Sequence, residues 1–397
     1  MKTTVTQKKK RRPVKTAGIV LLSLLMTAVF TSAALTGYAS YVANRVLSQD
    51  LAIQKAHIAA LRLNPGTPVN EQDIADFDLV AVNPKINAVR TVSSHNSYRL
   101  EFPEPIYSVF YGVVPDATAF AYHYEKPSLT EQLNSGIRGL ELDVNVEKNG
   151  IRVFHMYPFD TRTNGNDWLL CLEELKLWSD NNPDHFPLTI CVEYKDTAAF
   201  LNPAHAKKSV ETVKRLNDSF LQVFDKSDLI RPADIIGGYA DMKEAIAADN
   251  WPRYNDAKGK ILFYANVGYS ADGIDREMIA LDSAQQSLNF FISMRPNGDA
   301  NQGSMGNYAA IAVTDDGNTA ADSAIIKSYV EAGYLVRLTM NPYSVDKKGN
   351  VVFYEDRKNN VLASLGQMIS TDYIECAISP KMPFVMTFAG KYLTLTK

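Results

Sequence analysis

The sequence predicts an α/β fold: an irregular (β/α)8 barrel of the TIM type, preceded by an N-terminal membrane-targeting helix. Three observations carry this. Beyond residue 85, short apolar runs alternate with longer amphipathic stretches; a basic start is followed by a charge-free apolar segment; and polar residues able to do chemistry gather where the first four apolar runs end. Strands buried on both faces read as near-continuous hydrophobic runs, so the alternation implies a parallel sheet covered by helices. A stretch of about 310 residues in this pattern suits a closed barrel best, with an open doubly wound sheet as second choice.

At the N-terminus, seven of the 41 Lys and Arg residues fall within the first fifteen positions, where no acidic residue occurs. Residues 16–44 carry no charge, and residues 17–35 are mostly Ala, Val, Leu, Ile, Met and Phe. A signal peptide needs an apolar stretch of only ~7–15 residues and a spanning helix ~20, so the length favours a retained transmembrane anchor. The small residues Gly37 and Ala39 leave cleavage open. The positive-inside rule puts the chain after about residue 45 outside the cytoplasm, secreted or tethered to the membrane by residues about 16–42. Without its first fifteen residues the chain has 34 basic against 44 acidic residues. An acidic body argues against nucleic acid as a partner, because phosphate backbones are bound by basic surfaces.

Three units follow: residues 1–45 as basic tail and export segment, 46–84 as a stalk with a short helix over 51–63, and 85–397 as a catalytic barrel. Leu51, Ile53, Ile58 and Leu61 give the stalk helix its apolar spacing, and Asn64-Pro65-Gly66 ends it. Strands are expected over 88–93, 139–144, 151–155, 188–194, 261–265, 290–294, 311–314, 335–339, 367–371 and 384–388. Helices are expected over 129–135, 168–179, 206–223, 270–287, 320–332 and 356–365. The three cysteines, Cys171, Cys191 and Cys376, are too few for a disulfide scaffold, and Cys191 reads as a small buried hydrophobe. There is no Gly-rich phosphate loop.

The first strand run leads into Ser94-His95-Asn96-Ser97-Tyr98, the second holds Glu141-Leu142-Asp143, the third ends in His155, and the fourth holds Val192-Glu193-Tyr194-Lys195-Asp196. In a barrel the C-terminal ends of strands converge on one rim. Residues separated by 200 positions are not needed to build this site. Glu141 and Asp143, two apart on a strand, share a face. Burying two adjacent carboxylates costs several kcal/mol each unless a cation neutralises them. With Asn96 and Glu193 the set offers four oxygen donors and no soft ligand, which suits Ca2+, and Mg2+ as the lesser choice, rather than zinc. His95 and His155 flank this cluster and can act as general base and general acid, since an ordinary imidazole takes either form near neutral pH. His57, His185 and His205 are expected at the surface, and His123 as structural.

These residues resemble the bacterial calcium-dependent phosphoinositide-specific phospholipase C family. The resemblance rests on His-Asn-Ser-Tyr at 95–98, Pro-Ser-Leu-Thr-Glu-Gln-Leu-Asn-Ser-Gly-Ile-Arg-Gly-Leu-Glu-Leu-Asp-Val at 127–144, His155, and Val-Glu-Tyr-Lys-Asp at 192–196. It continues through Lys-Gly-Lys-Ile-Leu-Phe at 258–263, Gly-Tyr-Leu-Val-Arg at 333–337 and Ile-Ser-Thr-Asp-Tyr at 369–373, and so covers roughly residues 85–376. It implies that Asn96, Glu141, Asp143 and Glu193 bind calcium. His95 would stabilise or deprotonate the attacking inositol hydroxyl, and His155 would protonate the leaving diacylglycerol oxygen. The implied substrate is phosphatidylinositol at a membrane surface, cleaved to diacylglycerol and a cyclic inositol phosphate by a protein taken as a monomer.

The chain has Val336-Arg337-Leu338-Thr339 where members of the family usually show Val-Arg-Thr-Arg, so one basic residue that would favour phosphorylated head groups is missing. Lys195 and Arg337 are candidates to hold the scissile phosphate, and Tyr373 to pack on the inositol ring. The alternatives are a Lys195–Asp196 pair, an interior ion pair for Arg337, and a core position for Tyr373. Competing functions are a glycerophosphodiester phosphodiesterase or a sphingomyelinase-D-like enzyme, which use a comparable two-histidine, Glu-x-Asp barrel, and an inactive inositol-lipid binding module; glycerophosphodiesterases resemble His-Arg-Gly followed by Glu-Asn-Thr, where this chain has His-Asn-Ser-Tyr with no such sequel.

Overall fold

The structure is a computed structural model. It describes residues 14–104, 106–115, 120–196, 202–266, 273–296, 306–315, 317, 319–346, 348, 350–377 and 384–396, with backbone alone for residues 14–35, 109 and 113. Among the described residues there are twelve strands: β1 (Val89–Ser94), β2 (Gly139–Glu147), β3 (Gly150–Val153), β4 (Leu188–Tyr194), β5 (Ile261–Ala265), β6 (Ser293–Met294), β7 (Ile311–Thr314), β8 (Leu335–Thr339), β9 (Tyr343–Val345), β10 (Val351–Phe353), β11 (Met368–Thr371) and β12 (Leu393–Leu395). Eight of them, in spatial order β1-β2-β4-β5-β6-β7-β8-β11, form a parallel ring. The β5–β6 join is a parallel bridge between Tyr264 and Phe291, with Ala265 N–H donating to Phe291 O at 2.9 Å. Spatial order equals chain order, and helices run outside, as in an irregular (β/α)8 barrel. Every residue of β1, β5, β7, β8 and β11 is buried; β5 and β7 are near-continuous apolar runs, whereas β1, β8 and β11 also bury Arg90, Arg337 and Ser370.

Two expected strands behave differently. Residues 151–155 contribute β3, which pairs antiparallel with the long β2 from Val144↔Val153 to Glu147↔Gly150 and is no barrel stave. Residues 384–388 form no strand. The strand of that region is β12, lying antiparallel on β1. Most helices keep their expected places, as Leu129–Asn134, Trp168–Asn181, Val210–Phe220, Ala320–Glu331 and Glu355–Ala363. The helix expected over 270–287 is only Asp275–Leu281; residues 270–272 lie outside the described residues, and Asp282 ends it by accepting from Ala284 N–H and Ser287 N–H. The Leu129–Asn134 helix starts at a capping box, in which Ser128 and Glu131 satisfy each other's backbone N–H groups.

The N-terminal helix runs unbroken from Val14 to Leu63. Ala39, Val42, Ala43, Val46, Leu47, Asp50, Gln54 and Ile58 are buried, a spacing of three or four that forms one stripe. The stripe lies on the barrel flank: Ala43 and Leu47 cluster with Phe154 and Tyr157, and Gln54 bonds both the N–H and the carbonyl of Asp167. The expected transmembrane segment is corrected: among the described residues no helix is long and apolar enough to cross a membrane. The side chains of the apolar stretch 17–35 lie outside the described residues. From residue 36 onward the helix carries Arg45, Asp50, Lys55 and Arg62 and turns its apolar stripe to protein.

Candidate active site

The site begins where β1 ends. After Ser94 the chain turns sharply: Asn96 adopts φ +45°, a left-handed conformation that Asn tolerates better than most residues. Ser97 fastens the turn to β2, its N–H donating to Glu141 O (3.0 Å) while its hydroxyl accepts from Glu141 N–H (2.9 Å) and donates to Ser94 O (3.0 Å). The β1–β2 seam is close enough that a Cβ at Gly139 would sit 1.9 Å from Ser93 Oγ, so only glycine fits there. These bonds place Asn96 beside Glu141.

β2 and β4 pair in register, with Asp143 directly opposite Glu193 and Glu141 opposite Cys191. Glu141, Asp143 and Glu193 each bring a carboxylate oxygen within 4.8 Å of the others. This acidic cluster can hold a divalent cation. The residues fit one by a second criterion: Asp143 is fully buried, and neither of its carboxylate oxygens has a well-aligned hydrogen-bond donor. Burial, reinforced by Glu193 and Glu141, pushes the Asp143 carboxyl up to about 6 against the opposing Lys195 charge. The Asn96 side chain is fixed by Tyr98, whose hydroxyl donates to Oδ1 (3.1 Å), and by Tyr124, which accepts from Nδ2 (2.7 Å).

His155 reaches the rim because the β2–β3 hairpin doubles back, with Phe154 N–H donating to Asp143 O at 3.2 Å. Its Nδ1 lies 2.8 Å from Asp160 Oδ2, which also receives Arg99 Nε at 2.8 Å. His95 is held in the same manner, with Nδ1 at 2.9 Å from Asp372 Oδ1 and Nε2 at 3.9 Å from Glu141 Oε1. Each imidazole is thus oriented through Nδ1, leaving Nε2 for other work. Burial works to lower the His95 pKa, but the negative charges of Asp372 and Glu141 outweigh it and lift it to about 9. Burial raises both Asp372 and Asp160, and this is more than reversed, at Asp372 by His95 and Lys126 and at Asp160 by Arg99 and His155. The fully buried Lys126 donates to the Asp372 carbonyl at 2.7 Å, and burial lowers its ammonium to about 8.

One hollow of about 330 Å³ is lined by His95, Asn96, Glu141, His155, Glu193, Lys195 and Tyr373, joined by Tyr343 and Asp372. Asp143, fully buried, does not line it. A larger cleft of about 700 Å³, lined by Lys85, Asp249 and Gly333 among others, contains none of these residues. Arg337 does not line the hollow: it is 2% exposed and bound to Glu141, to Asp315 (2.8 Å) and to Ser370 Oγ (3.1 Å), with these charges raising its pKa. Lys195 pairs with Asp143 (2.8 Å) and Glu193; Asp196 pairs instead with His205.

Asp160 and Asp372 are the functional residues that sequence reasoning missed. Asp372 sits 277 positions from His95, which corrects the expectation that residues separated by 200 positions are not needed; its signal lay in the Ile-Ser-Thr-Asp-Tyr motif. His185 and His205 are also corrected. Both are buried, His185 between Ser179 Oγ (2.8 Å) and Phe186 O (2.7 Å), where adjacent prolines do not force exposure. His123 is partly exposed and bonds Glu101 at 2.8 Å, and His57 bonds Glu174 at 3.0 Å.

Among solved structures, the chain is similar to the calcium-dependent phosphoinositol-specific phospholipase C of a Gram-negative Pseudomonas sp. (18% identity, TM-score 0.51, covering 80% of this chain and 98% of that one). The myoinositol complex of the Pseudomonas enzyme matches with 17% identity, TM-score 0.52 and 80% and 98% coverage. The Ca2+-dependent phosphatidylinositol-specific phospholipase C of Streptomyces antibioticus gives 20% identity, TM-score 0.51 and 72% and 94% coverage. At these identities the likeness shows a shared fold. No curated protein matches the sequence. The profile of the family described as phosphoinositide phospholipase C, Ca2+-dependent, matches residues 85–148 and 145–395. That span holds the whole barrel, the acidic hollow and both histidines, and the chain belongs to the calcium-dependent phosphoinositide phospholipase C family of phosphodiesterases.

Proposed function

We propose that this protein cleaves phosphatidylinositol to diacylglycerol and, first, a cyclic inositol phosphate, outside the cytoplasm and at a membrane surface. The observation that carries the reading is a cluster of three carboxylates, two of which, Glu141 and Glu193, line one hollow together with two carboxylate-held imidazoles. Asn96, Glu141, Asp143 and Glu193 would hold Ca2+, which when bound supplies a positive charge that acidifies the inositol 2-hydroxyl and offsets charge on the phosphate. His95, held at Nδ1 by Asp372, stabilises or deprotonates the attacking hydroxyl through Nε2. His155, held at Nδ1 by Asp160, donates its Nε2 proton to the leaving diacylglycerol oxygen. Attack by a neighbouring hydroxyl gains from proximity, which favours the cyclic product; water opens the ring in a second step.

Tyr373, 9% exposed at the edge of the hollow, is placed to pack on the inositol ring. Arg337 acts on the site through Glu141, and Lys195 is the cation within reach of a bound phosphate. A lipid substrate is favoured by Met156 and Phe159, large apolar side chains 45% and 40% exposed in the loop after His155. The basic start and apolar segment favour export, with residues 85–397 as the catalytic unit.

The test is release of water-soluble inositol phosphate from phosphatidylinositol vesicles, with Ca2+ and with chelator. Calcium-dependent release is expected. Undiminished activity in chelator would refute the calcium mechanism, and activity on glycerophosphocholine with none on phosphatidylinositol would favour a glycerophosphodiesterase.

A further inference from the structure

We propose that Lys195 is a built-in counter-cation occupying part of the divalent-ion seat, so that metal binding must expel its ammonium into the substrate hollow. This rests on reading Glu141, Asp143 and Glu193 as a calcium centre. Lys195 follows Glu193 by two residues as the chain leaves β4, and its N–H donates to Val144 O at 2.9 Å, which fixes its backbone against β2. Its Nζ lies 2.8 Å from Asp143 Oδ2 and also touches Glu193 Oε1, between two of the three clustered carboxylates. The contact balances charge without satisfying geometry, because both Asp143 oxygens still lack a well-aligned donor. A calcium ion takes oxygen ligands at about 2.3–2.6 Å, so on the same two carboxylates it would press against the ammonium, and like charges at that range repel strongly.

One of the two cations must therefore leave, and the structure distinguishes Lys195 from the other cation of the cluster. Arg337 is 2% exposed and pinned by Glu141, Asp315 and Ser370. Lys195 is 21% exposed on a flexible four-carbon stem and lines the hollow shared by His95, His155 and Tyr373. An expelled ammonium has that hollow to enter, and a phosphodiester anion bound there would meet it. Metal and anionic substrate then bind cooperatively: the metal frees the lysine, and the freed lysine attracts the phosphate.

The test uses the full chain and Ca2+ alone. Isothermal titration should show Lys195→Met, which keeps length and loses charge, binding Ca2+ about tenfold or more tighter than the wild type. On the wild type, acylation of Lys195 followed by peptide mass spectrometry should rise several-fold when Ca2+ saturates the site; this arm decides the matter if the variant does not fold. Equal or weaker Ca2+ binding by a folded Lys195→Met, or labelling unchanged at saturating Ca2+, overturns the proposal while leaving the calcium centre standing. Failure of both proteins to bind Ca2+ overturns the proposal and the calcium centre together.

Discussion

Replacing Asp143 by Asn separates what its carboxylate does for the site from what it costs the fold. Asp143 is fully buried, and burial with Glu193 and Glu141 lifts its carboxyl from 3.8 to about 6, a net shift that already contains the attraction of Lys195. A carboxyl held higher in the folded state than in the unfolded one weakens the fold as it ionises. The stability is present below pH 3.8 and is lost as pH rises through about 6. A shift of about two pKa units corresponds to roughly 3 kcal/mol near pH 7.5 and to about half of that at pH 5. In chelator, Asp143→Asn should therefore be more stable than wild type by up to about 3 kcal/mol in urea unfolding at pH 7.5, with the gain shrinking as pH falls. The same change removes one of three carboxylates from the cation cluster and should weaken Ca2+ binding by roughly 100-fold in isothermal titration. A variant less stable than wild type in chelator at pH 7.5, or one with unaltered calcium affinity, would refute the reasoning.

His95→Ala and His155→Ala should each lower phosphatidylinositol turnover by roughly 100-fold or more with circular dichroism unchanged; near-normal rates in both folded variants would remove the histidines from the chemistry. Asp372→Asn takes away the charge that both orients and lifts His95, so kcat should fall by roughly 10- to 100-fold with KM little altered, and the His95 titration followed by NMR should move down from about 9. His185 is buried neutral with its pKa lowered to about 4, so between pH 6.5 and 4 the unfolded chain takes a proton that the folded chain refuses. His185 alone should cost the wild type about 3 kcal/mol across that window, a loss that protonation of Asp143 offsets in part, so in urea unfolding His185→Asn should gain about 3 kcal/mol relative to wild type between pH 6.5 and pH 4.

The barrel was legible because short, buried, largely apolar segments, plainest in β5 and β7, alternate with longer amphipathic helices. The exceptions have local causes. Residues 151–155 look like a stave, yet antiparallel pairing with the overlong β2 makes them a hairpin arm, and no composition signal distinguishes the two. The carboxylates were legible because the two-residue strand period joins Glu141 to Asp143, and parallel pairing brings Glu193 opposite. Nothing local points from His95 to Asp372: that contact exists only because β1 and β11 are neighbours in the closed ring. His185 and His205 were misjudged because prolines signal a turn in the backbone, not exposure of the next side chain.

The uneven stitching of the ring has a dynamic consequence. β2 and β4, which carry the three clustered carboxylates, share six paired positions, whereas β5 and the two-residue β6 meet through a single bridge at Tyr264 and Phe291. Backbone amides around 291–294 should therefore exchange with solvent deuterium sooner than those of 140–144, through local openings at that seam. Because β5 is the neighbour of β4, such an opening begins one strand away from Glu193, and only the long β4–β5 ladder separates it from the acidic cluster.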